Sequence, residues 1–351
     1  MRAGVLYAPG DLRVEDRADP VPGQGDVVVR VMYNGLCGTD ATEYSKGPML
    51  VPLYTPHPGS GHVGPTTLGH EFIGTVVDAG SGAAQWLGKR VACGAGVSCG
   101  DCAWCRRGRT NLCASYYTLG LSTHGGLAEL VVAPAATLVE IPHDCAYLDA
   151  ALAQPLAVGL HGVDRAGIAP GERVVLIGAG AIGSFILAGL AGQDNEVVVV
   201  DVDPARLEVA RLLGATTTHL VAGDTTLDDL RDLVDDPVEV VVESSGVPGA
   251  AAKALGLAAR GGRVLLVGLV KAPQELQLAD VVLREVDVRT TVAHVCSIDL
   301  PRALDLLSSW PLAQTIGVTV VPLESVVADG FEPLVHGAVS GKVLVDPRRT
   351  R

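Results

Sequence analysis

Basic residues and aromatic residues are both scarce in this chain. Lysine and arginine together number 26 against 39 aspartates and glutamates, which gives a formal net charge of −13. Surfaces that bind nucleic acids or anionic membranes need clustered lysine and arginine, so this balance argues against both kinds of partner. Aromatic residues make up 4% of the sequence, and this scarcity points away from a large aromatic substrate.

Long apolar segments are also rare. The first twenty residues lack the apolar core of a signal peptide. Residues 174–192 carry no charge and have the length of a membrane span, but glycines near their start and a valine run after them favour a buried strand and helix. No internal repeat or low-complexity tract is present. We therefore expect a cytoplasmic protein, and 351 residues predict two domains.

The most informative segment is residues 172–203, which reads as strand, tight turn, helix and strand. Apolar runs at Val174–Ile177 and Val197–Val200 flank a turn with G-x-G-x-x-G spacing. In such a turn the first glycine allows the sharp bend, the second lets the backbone approach a pyrophosphate, and the third brings the helix close to the strands. The turn residues that we predict to bind a dinucleotide are Gly178, Gly180, Ala181, Ile182 and Gly183.

Asp201, at the end of the second strand, predicts which dinucleotide is bound. Its carboxylate would accept hydrogen bonds from the adenosine ribose hydroxyls. A 2′-phosphate about 4 Å from that carboxylate would cost on the order of 4 kcal/mol per charge at an effective dielectric near 20. NAD is therefore favoured over NADP, and Arg206 is the nearby cation that keeps NADP use open.

From residue 172 onward, strands alternate with helices. The candidate strands are 173–177, 197–201, 217–221, 238–242, 263–267 and 288–293. Pro204–Leu213 is typical of the helices between them, with proline in the first turn. This alternation predicts an α/β fold with a doubly wound parallel sheet.

The remainder of the chain reads as a second domain of short strands. Residues 1–36, 72–77 and 131–141 carry strand patterns, whereas the thirty residues after Asp40 read as loop. Helices are predicted at 149–167, broken at Pro155, and at about 299–308. We place 1–155 and 295–351 in this domain and 156–294 in the dinucleotide-binding domain.

Eight cysteines in a chain without an export signal favour thiolates and metal over disulfides. Four of them lie close together, at Cys99, Cys102, Cys105 and Cys113. A structural Zn²⁺ requires a closed tetrahedron of such ligands, and short loops let the backbone wrap the ion. The spacing predicts a structural zinc lobe within 93–113, while Cys93, Cys145 and Cys296 read as small core residues. The net charge disfavours a zinc-lobe adaptor for nucleic acid.

Cys37, His70 and Glu71 offer a sulfur, a nitrogen and an oxygen ligand from separate segments. An open position on a Zn²⁺ ion beside them could bind an alcohol oxygen and lower its pKa. From these residues alone the alternative stays open that Cys37 is a core residue and that His70 and Glu71 form a surface pair.

Four motifs follow one another along the chain: G-L-C-G-T-D at 35–40, L-G-H-E-F-I-G at 68–74, the four-cysteine lobe, and G-A-G-A-I-G at 178–183. With the closing G-K-V-L-V-D-P they resemble the zinc-dependent medium-chain dehydrogenase/reductase superfamily over nearly the whole chain. Residues 37–44 and 155–161 further resemble its butanediol and polyol (sorbitol-like) dehydrogenase branch. The resemblance implies a Rossmann domain joined to a mostly β, GroES-like catalytic domain.

The resemblance also assigns roles. It makes Cys37 and His70 ligands of a catalytic zinc, with Glu71 as a carboxylate that ligates directly or exchanges with water. Asp40 would orient the ring of His70. Thr39 would start a proton relay towards the nicotinamide ribose, and hydride would pass to a nicotinamide held in the cleft between the domains.

Two positions depart from the branch. Gln154 stands where a glutamate is usual, so either the fourth metal ligand is a neutral oxygen or this residue lies beside the site without touching the metal. Thr42 stands where many members have a histidine that hands the proton to solvent, and threonine is no base near neutral pH. The relay must then end through water, Glu43, or a loop histidine such as His57 or His62.

These inferences predict an NAD-dependent dehydrogenase with two zinc ions per chain that interconverts a secondary alcohol and its ketone. The alcohol would be a polyol, cyclitol, sugar or vicinal diol. Gln154 and Thr42 leave a glucose-type aldose dehydrogenase of the same superfamily as an alternative. Another is a non-catalytic dinucleotide-binding protein that lost the catalytic zinc. The resemblance also implies a homodimer or homotetramer.

Overall fold

The computed structural model of the chain describes residues 1–234, 238–270, 272–339 and 341–349. Packing divides the chain into two compact units, one made of Met1–Ala157 with His294–Arg351 and the other of Val158–Ala293. The boundaries expected from the sequence, 155/156 and 294/295, fall close to these limits.

Strands and helices are numbered separately in chain order. The strands are Arg2–Ala8 (β1), Asp11–Asp16 (β2), Asp26–Gly35 (β3), Thr66–Thr67 (β4), Glu71–Ala79 (β5), Arg90–Cys93 (β6), Gly96–Val97 (β7), Tyr117–Thr118 (β8), Leu130–Pro134 (β9), Leu138–Glu140 (β10), Arg173–Ile177 (β11), Glu196–Asp201 (β12), Thr217–Leu220 (β13), Val238–Glu243 (β14), Ala258–Leu266 (β15), Asp287–Thr290 (β16), Val318–Pro322 (β17) and Lys342–Asp346 (β18). The helices are Gly38–Lys46 (α1), Tyr147–Ala150 (α2), Ala153–Ala166 (α3), Ala181–Leu190 (α4), Pro204–Leu212 (α5), Leu227–Val234 (α6), Ala250–Leu257 (α7), Leu278–Leu283 (α8), Cys296–Ser309 (α9), Ala313–Ile316 (α10) and Glu332–Val335 (α11).

The first unit is mostly β. Its largest sheet has the strand order β10-β6-β5-β3-β18-β17, and β9 also pairs with β3. Within it β17 and β18 run parallel, whereas β3 is antiparallel to β5, β9 and β18. Val27, Val29 and Val31 of β3 pack with Phe72 and Val76 of β5 in one buried cluster. The last strand of the chain, β18, lies beside β3.

The second unit is built on a parallel sheet of order β13-β12-β11-β14-β15-β16. The order reverses beside β11, and ligands of such sheets bind outside the carboxyl ends of the strands at this reversal. The predicted doubly wound α/β fold is confirmed. The uncharged stretch 174–192 divides into β11 and α4, and within the described ranges no helix has both the length and the apolar character needed to cross a membrane.

Two local predictions are wrong. The segment after Cys37, read as loop from Ala41 onward, forms helix α1 as far as Lys46. Asp40 Oδ2 accepts the Cys37 backbone N–H at 2.9 Å and so caps the start of α1. Pro155 does not break a helix, because it lies in the first turn of α3, where its missing N–H costs no hydrogen bond. The break falls earlier, between α2 and α3.

Candidate active site

The four cysteines of the predicted zinc lobe come together. Their Sγ atoms lie 3.5 Å apart for Cys102–Cys105 and Cys99–Cys113, and 4.0 Å apart for Cys99–Cys105. Zinc–sulfur bonds of about 2.3 Å in a tetrahedron place sulfurs about 3.8 Å apart, so the residues fit a closed structural zinc site. The backbone N–H of Cys105 lowers the pKa of Cys102 to about 6, which favours the thiolate that a metal needs.

Cys37, His70 and Glu71 also converge, although they come from different segments. Cys37 follows the end of β3, and Glu71 begins β5, directly opposite Gly35 in the sheet register. Antiparallel pairing of β3 with β5 therefore brings the two segments together. One ligand atom from each of the three residues lies within 4.8 Å of the others, with His70 and Glu71 buried. The sulfur, nitrogen and oxygen donors fit a zinc site that leaves a coordination position open.

Asp40 contacts both Cys37 and His70 of this group. Its Oδ1 lies 3.2 Å from His70 Nδ1, and its Oδ2 accepts the backbone N–H of Cys37. Burial disfavours the charged imidazole, but the Asp40 carboxylate and Cys37 outweigh it and hold the pKa of His70 well above its usual range. Because Asp40 occupies Nδ1, the Nε2 atom of His70 is left for a metal ion.

Lys342 is a member of the site that sequence reasoning missed. Its ammonium forms an ion pair with Glu71 Oε2, and the side chains of both residues are almost fully buried, at 4% and 2% exposed. Burial lowers the pKa of Lys342, yet Glu71 and Cys37 together raise it above its ordinary value, so the ammonium stays charged. In the sequence, Lys342 is visible only as the lysine of the closing G-K-V-L-V run. The pairing of β18 with β3 shows that it lies beside Glu71.

We expect Lys342→Met to lower the free energy of unfolding of the zinc-free chain by about 3–5 kcal/mol, because it leaves the buried Glu71 carboxylate without a counter-charge. Zinc bound beside Glu71 supplies positive charge, so the loss should shrink in the zinc-loaded protein. Urea unfolding with and without zinc measures both values.

Lys89→Met is the matched control, since Lys89 pairs with Glu140 on the surface with both side chains substantially exposed. Exposed pairs contribute about 0–1 kcal/mol, and zinc should not change that figure. An equal loss for Lys342→Met and Lys89→Met would contradict the prediction.

Thr39, Thr42 and Glu43 of α1 have different contacts. Thr39 Oγ1 lies 3.8 Å from Cys37 Sγ, near the metal-ligand group. Thr42 Oγ1 donates to the Gly38 carbonyl at 2.8 Å, which ties it to its own helix. Glu43 is buried and accepts the backbone N–H groups of residues 49 and 50, so its carboxylate holds the following loop.

The two loop histidines predicted as possible ends of the relay form hydrogen bonds within residues 57–66. His57 Nδ1 accepts the backbone N–H groups of Gly59 and Ser60, and His62 Nε2 lies 2.9 Å from Thr66 Oγ1. Gln154, the second residue of α3, is half-buried in the first unit. Its place in the metal site stays a prediction, as does the end of the relay.

The glycine-rich turn connects β11 to α4 in the second unit. Gly178 has a φ of +95°, which strongly favours glycine, and a Cβ at Gly183 would lie 2.1 Å from the Gly178 carbonyl oxygen. A Cβ at Gly180 would meet no atom within 4 Å, so this face of the turn is open to a ligand. Ala181 and Ile182 begin α4.

A cavity of about 180 Å³ lies beside the turn and is lined by Gly178, Gly180, Asp201 and Arg206, with Ser244, Ser245 and Lys253 also on its wall. Ser244, Ser245 and Lys253 were not expected from the sequence. Asp201 is buried and accepts the backbone N–H of Ala179 at 2.6 Å. The guanidinium of Arg206 lies 3.8 Å from Asp201 and 3.5 Å from Asp203, so two carboxylates offset its charge. That arrangement favours ribose hydroxyls over a 2′-phosphate.

A doubly wound sheet with this turn, combined with a β unit that gathers two groups of zinc-type ligands, defines a zinc-type dinucleotide-linked oxidoreductase. Residues 23–143 match the family model of the alcohol dehydrogenase GroES-like domain, and residues 181–309 match that of the zinc-binding dehydrogenase. The chain belongs to the zinc-type medium-chain alcohol dehydrogenase family, as the sequence motifs predicted.

Relatives and solved structures agree with this assignment. The chain is 32% identical to the sorbitol dehydrogenase of Gallus gallus over 88% of this chain and 85% of that protein. Its fold matches the crystal structure of 2R,3R-butanediol dehydrogenase from Bacillus subtilis with a TM-score of 0.89 at 27% identity, covering 99% of both chains. A structure described as a short chain alcohol dehydrogenase from E. coli CFT073, complexed with NADH, gives a TM-score of 0.88 at 26% identity over 99% of both chains.

Proposed function

We propose that the chain oxidises a secondary alcohol of a polyol or vicinal diol with NAD⁺ as hydride acceptor, and that it holds two zinc ions. The observation that carries the proposal is the convergence of Cys37, His70 and Glu71 with Asp40 behind them. The related butanediol and sorbitol dehydrogenases support the substrate class.

The residues of the site have separable tasks in this proposal. Cys37 and His70, with Glu71, would hold a zinc ion that supplies Lewis acidity to the alcohol oxygen. Asp40 keeps the ring of His70 and the backbone of Cys37 in place. Thr39 would pass the alcohol proton into a relay towards the nicotinamide ribose, because a hydroxyl can accept one hydrogen bond while it donates another. The reaction then needs NAD⁺ as the hydride acceptor.

The proposed preference for NAD over NADP depends on the cavity beside the glycine-rich turn of the second unit. There the buried Asp201 carboxylate would accept the hydrogen bonds of the adenosine ribose, while Arg206 remains paired with acids. We propose NAD as the physiological cofactor. We also propose the cytoplasm as the compartment, because the reduced thiols of the zinc lobe persist there and all eight cysteines are unpaired with one another.

The test is an NADH-formation assay with zinc-loaded protein against butanediol, sorbitol, inositol and glucose. We expect kcat/KM for a polyol or diol to exceed that for glucose by about tenfold or more, a discrimination of about 1.4 kcal/mol. Glucose as the best substrate would instead support the aldose alternative that Gln154 and Thr42 left open. Tight NADH binding with no turnover of any alcohol would support the non-catalytic alternative.

We propose further that two copies associate through one edge of the parallel sheet. Strand β16 lies at that edge, and Val288 on it is 43% exposed. The neighbouring Val282 and Leu283 of α8 are 71% and 74% exposed. An open strand edge beside apolar side chains favours pairing with another chain, and two-fold pairing closes the assembly.

Val282→Asp is expected to shift the protein from dimer or tetramer towards smaller species, because it places a charge within the apolar contact. Size-exclusion chromatography with light scattering measures the mass. The control is Leu212→Asp on α5, where an exposed leucine (61%) lies away from the β16 edge. A monomeric wild type, or a Val282→Asp variant of unchanged mass, would refute this assembly.

A further inference from the structure

Glu243 ends β14 with a buried carboxylate, one oxygen of which accepts three hydrogen bonds from its own turn. The residue is 1% exposed. Its Oε1 accepts the backbone N–H of Ser245 at 2.8 Å, the Ser245 hydroxyl at 2.5 Å and the backbone N–H of Gly246 at 2.9 Å. Burying an ionised carboxylate is costly unless such donors compensate it. Three donors on one oxygen fix the backbone of this turn.

That turn lies directly against the glycine-rich turn. The backbone N–H of Ser244 donates to the Ile177 carbonyl at 2.9 Å, and the Ser244 hydroxyl donates to the Gly178 carbonyl at 2.7 Å. A Cβ at Gly178 would lie 2.8 Å from the Ser245 nitrogen. Because no side chain separates the two turns, a shift of Ser245 must move Gly178.

A third segment, at Gly268 after β15, packs against the Glu243–Gly246 turn. The backbone N–H of Gly268 donates to the Glu243 carbonyl at 3.1 Å. A Cβ at Gly268 would lie 2.3 Å from the Gly246 nitrogen and 2.5 Å from Glu243 Oε2. The carboxyl ends of β11, β14 and β15 are therefore in backbone contact around one carboxylate, at the edge of the sheet where ligands bind.

We infer that Glu243 is a positioning residue for the dinucleotide: it holds Ser245 and Gly246, and through them it sets the Gly178–Gly180 turn that receives the pyrophosphate. The inference rests on the proposed NAD-linked function. Ser244 and Ser245 line the same cavity as Asp201 and Gly180, so the effect reaches the ligand and not only the fold. Asp201 lies on a different strand, β12, and touches the turn through the Ala179 N–H that its carboxylate accepts. We therefore expect binding of the adenosine ribose to change less than binding of the pyrophosphate.

The experiment is calorimetric titration of zinc-loaded wild type and Glu243→Gln with ADP-ribose, which contains the pyrophosphate, and with AMP, which does not. Glutamine keeps the shape and removes the charge. We expect ADP-ribose to bind about tenfold more weakly to Glu243→Gln, because a neutral amide oxygen accepts the same donors less strongly than a carboxylate does, while AMP changes less than about twofold. In turnover, KM for NAD⁺ should rise while kcat at saturating NAD⁺ stays within about twofold.

Glu239→Gln is the matched control, because Glu239 lies on the same strand with an exposed side chain that accepts the Arg173 N–H. It should bind both ligands as the wild type does. If Glu243→Gln does not fold, Ser245→Ala removes one donor and should still weaken ADP-ribose selectively.

The inference is overturned if the folded variant binds ADP-ribose like wild type, or if AMP and ADP-ribose weaken equally. The second result would indicate a general loosening of the unit. A wild type that binds neither NADH nor ADP-ribose would instead refute the proposed function, and the inference with it. If the wild type binds NADH and ADP-ribose and the Glu243→Gln variant binds them equally well, only the inference about Glu243 is refuted.

Discussion

Replacing Cys37 by serine is expected to reduce kcat/KM for the alcohol by about four orders of magnitude and to remove one zinc ion per chain. Serine offers a neutral hydroxyl in place of a thiolate, so the group at His70 and Glu71 loses its soft anionic ligand. Lewis-acid stabilisation of several kcal/mol then disappears, and each 1.4 kcal/mol corresponds to about a tenfold change in rate. Steady-state kinetics with elemental analysis measures both effects.

Cys145→Ser is the control for this variant. Cys145 is buried, whereas Cys37 is half-buried, and Cys145 lies outside both groups of metal-type ligands. It should keep two zinc ions and nearly full activity. A Cys37→Ser variant that retained more than about a tenth of wild-type activity would show that the thiolate is not part of the catalytic machinery.

Replacing Asp201 by serine is expected to reverse much of the preference for NAD⁺ over NADP⁺, with the ratio of the two kcat/KM values changing by about a hundredfold or more. The buried carboxylate repels a 2′-phosphate by an amount on the order of 4 kcal/mol per charge. Its removal also takes away one of the two carboxylates that offset the charge of Arg206, whose guanidinium lies 3.8 Å from Asp201 and 3.5 Å from Asp203. Arginine binds phosphate well because its donors match the oxygens in pairs.

Asp203→Asn separates two causes of the cofactor preference: repulsion of the 2′-phosphate by Asp201, and the pairing of Arg206 with carboxylates. Asp203 also lies near Arg206, but its side chain is 36% exposed, whereas that of Asp201 is 4% exposed. Loss of this more screened charge should change the cofactor ratio by less than about tenfold. Equal effects for the two variants would mean that release of Arg206 alone decides the preference, and an unchanged ratio in Asp201→Ser would refute the role of Asp201.

The features that the sequence predicted correctly are those encoded by neighbouring residues. The G-x-G-x-x-G turn and the four-cysteine lobe each lie within one short segment, so their spacing specifies the local structure. The central strands of the parallel sheet, β11, β12 and β14, are largely buried, and their continuous valine runs made them recognisable. The convergence of Cys37 and His70 needed the family resemblance as well, because local spacing does not connect them.

The features that were missed depend on contacts between distant segments. Lys342 reaches Glu71 only because the last strand pairs with β3. Helix α1 was read partly as loop because it is short and polar and is capped by Asp40. Glu43 and the loop histidines were named as possible ends of the relay, and their hydrogen bonds to the loop depend on tertiary contacts that the sequence does not show. Sequence patterns give element types, whereas these side-chain contacts follow from packing.

The zinc content of three proteins tests the central claim most directly: wild type, His70→Ala and Cys102→Ser. We expect two zinc ions per chain in the wild type and one in each variant, with NAD-linked alcohol oxidation lost in His70→Ala. A wild type that holds a single zinc ion, which Cys102→Ser removes and His70→Ala leaves in place with activity intact, would contradict the claim.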